Sequence, residues 1–110
     1  MLAIIGGTGL SELQGFEQLE KVAIKTPYAR AKVRLVRISS GDKEFIFLPR
    51  HGAGHKIPPH EINYRANIAA LSELGVTAIL AVNAVGAIHD DLLPGSVAVP
   101  DQLIDYSYSR

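Results

Sequence analysis

Apolar residues run without a break from Leu2 to Ile5 and stop at Gly6-Gly7, the pattern of a short buried strand that ends in a tight loop. The stretch from Ser11 to Leu19 predicts at most a turn of helix, because Gly15 interrupts it at a cost of about 1 kcal/mol. Lys21 to Lys25 predicts a strand, closed by the turn signal Thr26-Pro27. Val33 to Ile38 and Glu44 to Leu48 are rich in β-branched and aromatic residues, and Ser40-Gly41-Asp42 between them suits a hairpin turn. Pro58 and Pro59 then punctuate the chain, and a helix starting near Pro59 or His60 would hold proline legitimately in its first turn. Tyr64, Ile68, Leu71 and Leu74 share one helical face, with Gly75 where a C-terminal cap belongs. Val76 to Val82 is apolar on both faces, which predicts a central strand covered from both sides. Pro94-Gly95 predicts a turn, and Val97 to Val99 a further short strand. The pattern is that of an α/β domain, a mixed central β-sheet flanked by helices. The last stretch, "DQLIDYSYSR", is semi-apolar and brings no closing helix, so the domain is expected to be truncated on that side.

Composition narrows the class. The chain has 110 residues and formal net charge +0, with 47% hydrophobic and 20% charged residues, an ordinary globular balance for one domain. A neutral balance predicts neither nucleic acid nor an anionic membrane as partner. There is no cysteine, which excludes a disulfide scaffold and a thiolate metal site and permits a reducing cytoplasm. The start carries no basic n-region followed by a long apolar run, so no signal peptide is expected.

Three loops hold candidate chemistry. In "IIGGTGL", Gly7 and Gly9 match the start of a dinucleotide fingerprint, but Glu12 stands where the third glycine belongs. Strands and a hairpin follow where a crossover helix is needed. An NAD(P)-binding domain therefore remains only as a rival, beside a bare tight turn. Thr8 favours a third reading: a hydroxyl among exposed N–H groups at a strand's end cradles an anion. In "LPRHGAGH", a strand end delivers Arg50, whose planar fork matches two phosphate oxygens, and His51 adds another donor. A solvated surface loop is the plain alternative, and a histidine phosphatase the enzymatic one, although in that group the RHG follows the first strand. In "AVNAVGAI", Asn83 could orient a ligand and the Ala84 N–H could complete an anion site, against the plain reading of a helix-capping asparagine. His51, His55, His60 and His89 raise zinc, but Gly52, Gly54 and the prolines forbid the helix that His51 and His55 would need. His89 beside Asp90 and Asp91 reads as a solvated turn.

"IIGGTGL", "RHGAGH", "INYRANIAAL", "NAVGAI" and "PGSVAVPDQLIDYS", in this order and spacing, resemble the purine nucleoside phosphorylase family, most of all its methylthio-nucleoside branch. The resemblance runs over essentially the whole chain. It implies phosphorolysis of a purine nucleoside to free base and a sugar 1-phosphate, in purine salvage. Asn83 and the NYRAN and QLIDY wording lean toward S-methyl-5′-thioinosine over 5′-methylthioadenosine. It further implies phosphate binding by Thr8, Arg50, His51, Asn83 and Ala84, no protein nucleophile, no metal and no organic cofactor, with inorganic phosphate as co-substrate. His55 and Tyr64 fall in family motifs without an assigned step, and Asp101, Gln102 and Asp105 in a signature of structural character. A cytoplasmic homotrimer is the implied assembly. Family members are more than twice this long, so residues 1–110 are expected to be the N-terminal portion of a single phosphorylase domain. The C-terminal half, with the remaining phosphate, ribose and base contacts, would be absent, leaving the chain incomplete as an enzyme. An inactive fragment is the remaining alternative.

Overall fold

Two neighbouring strands, β3 (Val33–Ser40) and β4 (Lys43–Pro49), form a hairpin joined through Gly41-Asp42. Ser40 pairs with Lys43, and only Gly41 of the two loop residues has positive φ (60°), the type II′ pattern that suits the twist of an antiparallel pair. The computed structural model describes residues 1–7 and 14–107. Within it, β1 (Leu2–Gly6), β2 (Glu17–Ile24), β3, β4 and β5 (Ala78–Ala81) form one sheet in the order β2-β3-β4-β1-β5. β2, β3 and β4 run antiparallel to their neighbours, whereas β1 is parallel to both β4 and β5. This is the mixed α/β sheet expected from sequence. β2 pairs with β3 and not with β1, so among the described residues there is no parallel β1–β2 unit of a dinucleotide fold.

Both faces of the sheet are apolar, because alternate residues of its strands point opposite ways. Ala3, Leu35, Ile46 and Leu48 form one buried face with Ala70 and Leu71 of the helix α1 (Tyr64–Glu73). Ile4, Ile38 and Phe47 form the other, with Phe16 packed edge-on against Phe45 at 5.9 Å.

α1 starts later than the prolines suggest. Pro59–Glu61 forms a single 3₁₀ turn, and Asn63 is the true cap, its Oδ1 accepting from the Ala66 N–H at 2.9 Å. The Asn63 Nδ2 donates to the Tyr28 carbonyl at 2.8 Å, tying the helix start to the β2–β3 loop. The C-terminal end is as expected: Gly75 has φ 71°, its N–H bonds the Ser72 carbonyl, and the Val76 N–H bonds the Leu71 carbonyl.

Four further expectations change. Glu17 to Leu19 belongs to β2 and not to a helical turn, since pairing with β3 overrides weak local preference. The buried helix face consists of Ala66, Ala70 and Leu71, while Tyr64 and Ile68 stay exposed; two alanines four apart let the helix lie close on the sheet. β5 is an edge strand and exposed along its length, because among the described residues nothing pairs with its outer side. Val97 to Val99 forms no strand and is solvent-exposed: the turn at Pro94-Gly95 forms, with the Ser96 N–H on the Leu93 carbonyl, but no sheet edge receives the residues after it.

Candidate functional site

Because β1, β4 and β5 are parallel, their carboxyl ends emerge side by side. Gly6 lies level with Pro49, and Ile5 with both Leu48 and Ala81. Two main-chain bonds fasten the exits together: the Arg50 N–H donates to the Gly6 carbonyl at 3.0 Å, and the Val82 N–H to the Ile5 carbonyl at 2.9 Å. The glycine, arginine–histidine and asparagine loops thus begin at one edge of the sheet. That is the place where open α/β folds bind ligands.

Arg50 crosses all three exits. Its Nη1 donates to the Val82 carbonyl at 2.8 Å, and its guanidinium lies over Gly7 where any side chain would stand. Gly7 is therefore required for the close passage of Arg50, whatever the loop after it does. His51 is buried. Its Nδ1 lies 2.9 Å from the Ile57 carbonyl, a bond only a protonated Nδ1 can make, and its own carbonyl accepts the Ile57 N–H at 2.9 Å. Gly52 and Gly54, at φ 72° and 73°, let the loop fold back this tightly. His55 adopts φ 56°, uncommon for a residue with a side chain, and lays its ring on that of His51 at 4.3 Å.

Arg50, His51, His55, Lys56, Ile57, Pro58, Pro59 and Ala84 line one open concavity of about 620 Å³. Three residues singled out from the sequence, Arg50, His51 and Ala84, therefore meet in it. Asn83 follows the Arg50-bound Val82 directly and is exposed, outside the lining. Thr8 lies outside the described residues. No helix follows Asn83 among the described residues, which removes its capping alternative. Tyr64 belongs to a separate shallow concavity with Tyr28, His60, Glu61 and Asn63. Gln102 and Asp105 serve local turns, accepting from the Leu103 and Ser107 N–H groups. His89 sits in an exposed turn where its Nδ1 accepts the Asp91 N–H. Sequence reasoning missed Lys56, the clearance role of Gly7, and the carbonyls of Ile57 and Val82. Backbone acceptors leave no trace in residue type, so only Lys56, one residue from the RHGAGH stretch, was open to being found.

The arrangement joins a fixed guanidinium, an ammonium and a buried imidazole at a strand edge, a cationic cleft suited to an oxyanion. The profile of the phosphorylase superfamily matches residues 1–110. The chain is 50% identical over 109 residues to an S-methyl-5′-thioadenosine phosphorylase of Hyperthermus butylicus, covering 99% of this chain and 40% of that one. It is 46% identical to a probable S-methyl-5′-thioinosine phosphorylase of Pseudomonas syringae, covering 98% and 44%. Among solved structures, a methylthioadenosine phosphorylase of Schistosoma mansoni in complex with adenine superposes with TM-score 0.74 at 46% identity, over 86% of this chain and 34% of that one. The chain thus spans about two-fifths of the length of the curated relatives it matches. With the family profile covering every residue and near-half identity across almost the whole chain, it belongs to the phosphorylase superfamily.

Proposed function

We propose that this chain supplies the phosphate-binding part of a purine nucleoside phosphorylase of the salvage route. The reaction is phosphate-dependent cleavage of S-methyl-5′-thioinosine to purine base and methylthioribose 1-phosphate, with 5′-methylthioadenosine as the second reading. The observation that carries the proposal is the meeting of Arg50, His51 and Ala84 in one cleft at the carboxyl ends of three parallel strands. Relatives named for thioadenosine, thioinosine and 6-oxopurine substrates support the reaction class.

The chemistry asks for what the cleft offers. A phosphate oxygen attacks C1′ as the glycosidic bond breaks, and its electron pair leaves with the purine nitrogen. The transition state carries ribosyl-cation character, so a held phosphate is both nucleophile and counter-charge. Arg50, fastened at both its N–H and its guanidinium, fixes that anion without moving during reaction. Such positioning supplies on the order of several kcal/mol. Thr8, Asn83 and the Ala84 N–H complete the proposed phosphate shell. No metal or organic cofactor enters the reaction. A cytoplasmic homotrimer is part of the same proposal, carried by the resemblance, and light scattering of the purified protein reads its mass.

The test is a phosphorolysis panel on the protein carrying these 110 residues, with methylthioinosine, methylthioadenosine, inosine and adenosine, with and without phosphate. Base release should need phosphate and be fastest with methylthioinosine. Arg50→Ala should cut turnover by about a hundredfold or more, the loss of a charged transition-state contact. Base release without phosphate, or undiminished turnover in Arg50→Ala, would refute the proposal.

A further inference from the structure

The Nδ1 of His51 is spent. It donates to the Ile57 carbonyl, which has no proton to give, so the neutral ring bears its hydrogen on Nδ1 and keeps Nε2 bare. The same residue also holds the His51 backbone, the Ile57 N–H donating to its main-chain carbonyl, and the His55 ring stacks on one face of the imidazole. Nε2 is then the ring nitrogen left for a ligand in the concavity that His51 lines. It is an odd group to find there. The neighbouring charged side chains, Arg50 and Lys56, carry donors and no acceptor. An anion without hydrogen would meet their donors well and the Nε2 lone pair badly.

We propose that His51 serves the bound anion as a hydrogen-bond acceptor, its bare Nε2 selecting an oxyanion that carries an O–H group, such as hydrogenphosphate, over one that has none, such as sulfate. The inference rests on the reading of this cleft as a phosphate site and adds the protonation state of the ligand it takes. At about pH 8 hydrogenphosphate and sulfate are dianions of similar size and shape. They differ in one hydrogen, and Nε2 is the group that reads it. Leaving that lone pair facing an anion oxygen forfeits a hydrogen bond and adds repulsion, a penalty of the kind a polar site imposes on an analogue lacking its partner group.

Two measurements on the purified chain test this at about pH 8. The first is calorimetric titration with phosphate, arsenate and sulfate. Phosphate and arsenate should bind, with sulfate about tenfold weaker or worse. His51→Asn keeps a donor for Ile57 and deletes Nε2, so it should weaken phosphate and leave sulfate unchanged, closing the gap. Sulfate within tenfold of phosphate in the unaltered chain overturns the inference alone, and a gap that survives in His51→Asn does the same. Absence of phosphate binding overturns the phosphate site and this inference with it. The second measurement needs no ligand: long-range proton–nitrogen correlation should find His51 protonated at Nδ1 and bare at Nε2. A proton on Nε2 overturns the proposal.

Discussion

Gly7→Ala should damage ligand binding far more than folding. Gly7 is buried, and its φ lies outside the left-handed range, so its backbone accepts alanine without strain. What the new methyl group meets is the Arg50 guanidinium, with even Nε only 3.0 Å away. Arg50 must swing off, and its 2.8 Å bond to the Val82 carbonyl breaks. A hydrogen bond to a charged group contributes about 1.5–3 kcal/mol, toward the lower end for a partly exposed arginine. Replacing glycine restricts the unfolded chain and returns about 0.4–1 kcal/mol. Net destabilisation should therefore be only about 0.5–1 kcal/mol, read by urea denaturation. Phosphate loses the positioned guanidinium outright, a charge-assisted contact of about 1.5–3 kcal/mol, so affinity should fall about 10–150-fold by calorimetry. Arg50→Ala and the double variant close the cycle. If Gly7 acts through Arg50, the double variant binds no worse than Arg50→Ala. Additive losses, or native affinity in Gly7→Ala, would refute the reasoning.

Three further substitutions probe the frame that carries the site, each by urea denaturation. Leu71→Ala empties a buried position against Leu35, Ile46 and Leu48 and should cost about 2–5 kcal/mol; a loss under 1 kcal/mol would mean that α1 does not seal that face. Asn63→Ala removes both the α1 cap and the tie to the Tyr28 carbonyl and should cost about 1–2 kcal/mol, whereas Asn63→Asp, which keeps the cap acceptor alone, should recover part of it. Gly75→Ala places a side chain at φ 71° and should cost about 1–2 kcal/mol, with Gly75→Asn milder than alanine.

The sequence showed the antiparallel part of the sheet well, because the β3–β4 hairpin is local: two β-rich runs flank a glycine turn, and one-residue alternation settles which side chains face inward. It misjudged elements whose state depends on distant partners. Glu17 to Leu19 became strand because β3 was there to pair with it. Val97 to Val99 has strand-forming residues but pairs with no strand of the sheet. The apolar run of β5 signalled a strand but misplaced it as central and covered: burial is a property of neighbours, and β5 has a sheet partner on one side only. Arg50 and His51 were legible because their chemistry resides in the side chain and they follow a strand end. The bonds that orient them run to the carbonyls of Val82 and Ile57, groups every residue possesses, and so had no signature.

The hydrogen bond from Arg50 to Val82 has a thermodynamic consequence. β5 returns to the sheet from far along the chain, and it is held beside β1 along one edge only. Val82 is the first residue past that strand, and its carbonyl orients the guanidinium that faces the anion cleft. If the cleft takes phosphate as proposed, docking of β5 and capture of the anion draw on the same contact and favour each other by the same factor, since linkage is reciprocal. An anion in the cleft should slow amide exchange along Ala78–Ala81, and fraying of that edge should weaken the cleft. On the proposed reading the arginine is a latch between ligand and topology: the docking of β5 and the grip on phosphate would come in one cooperative step.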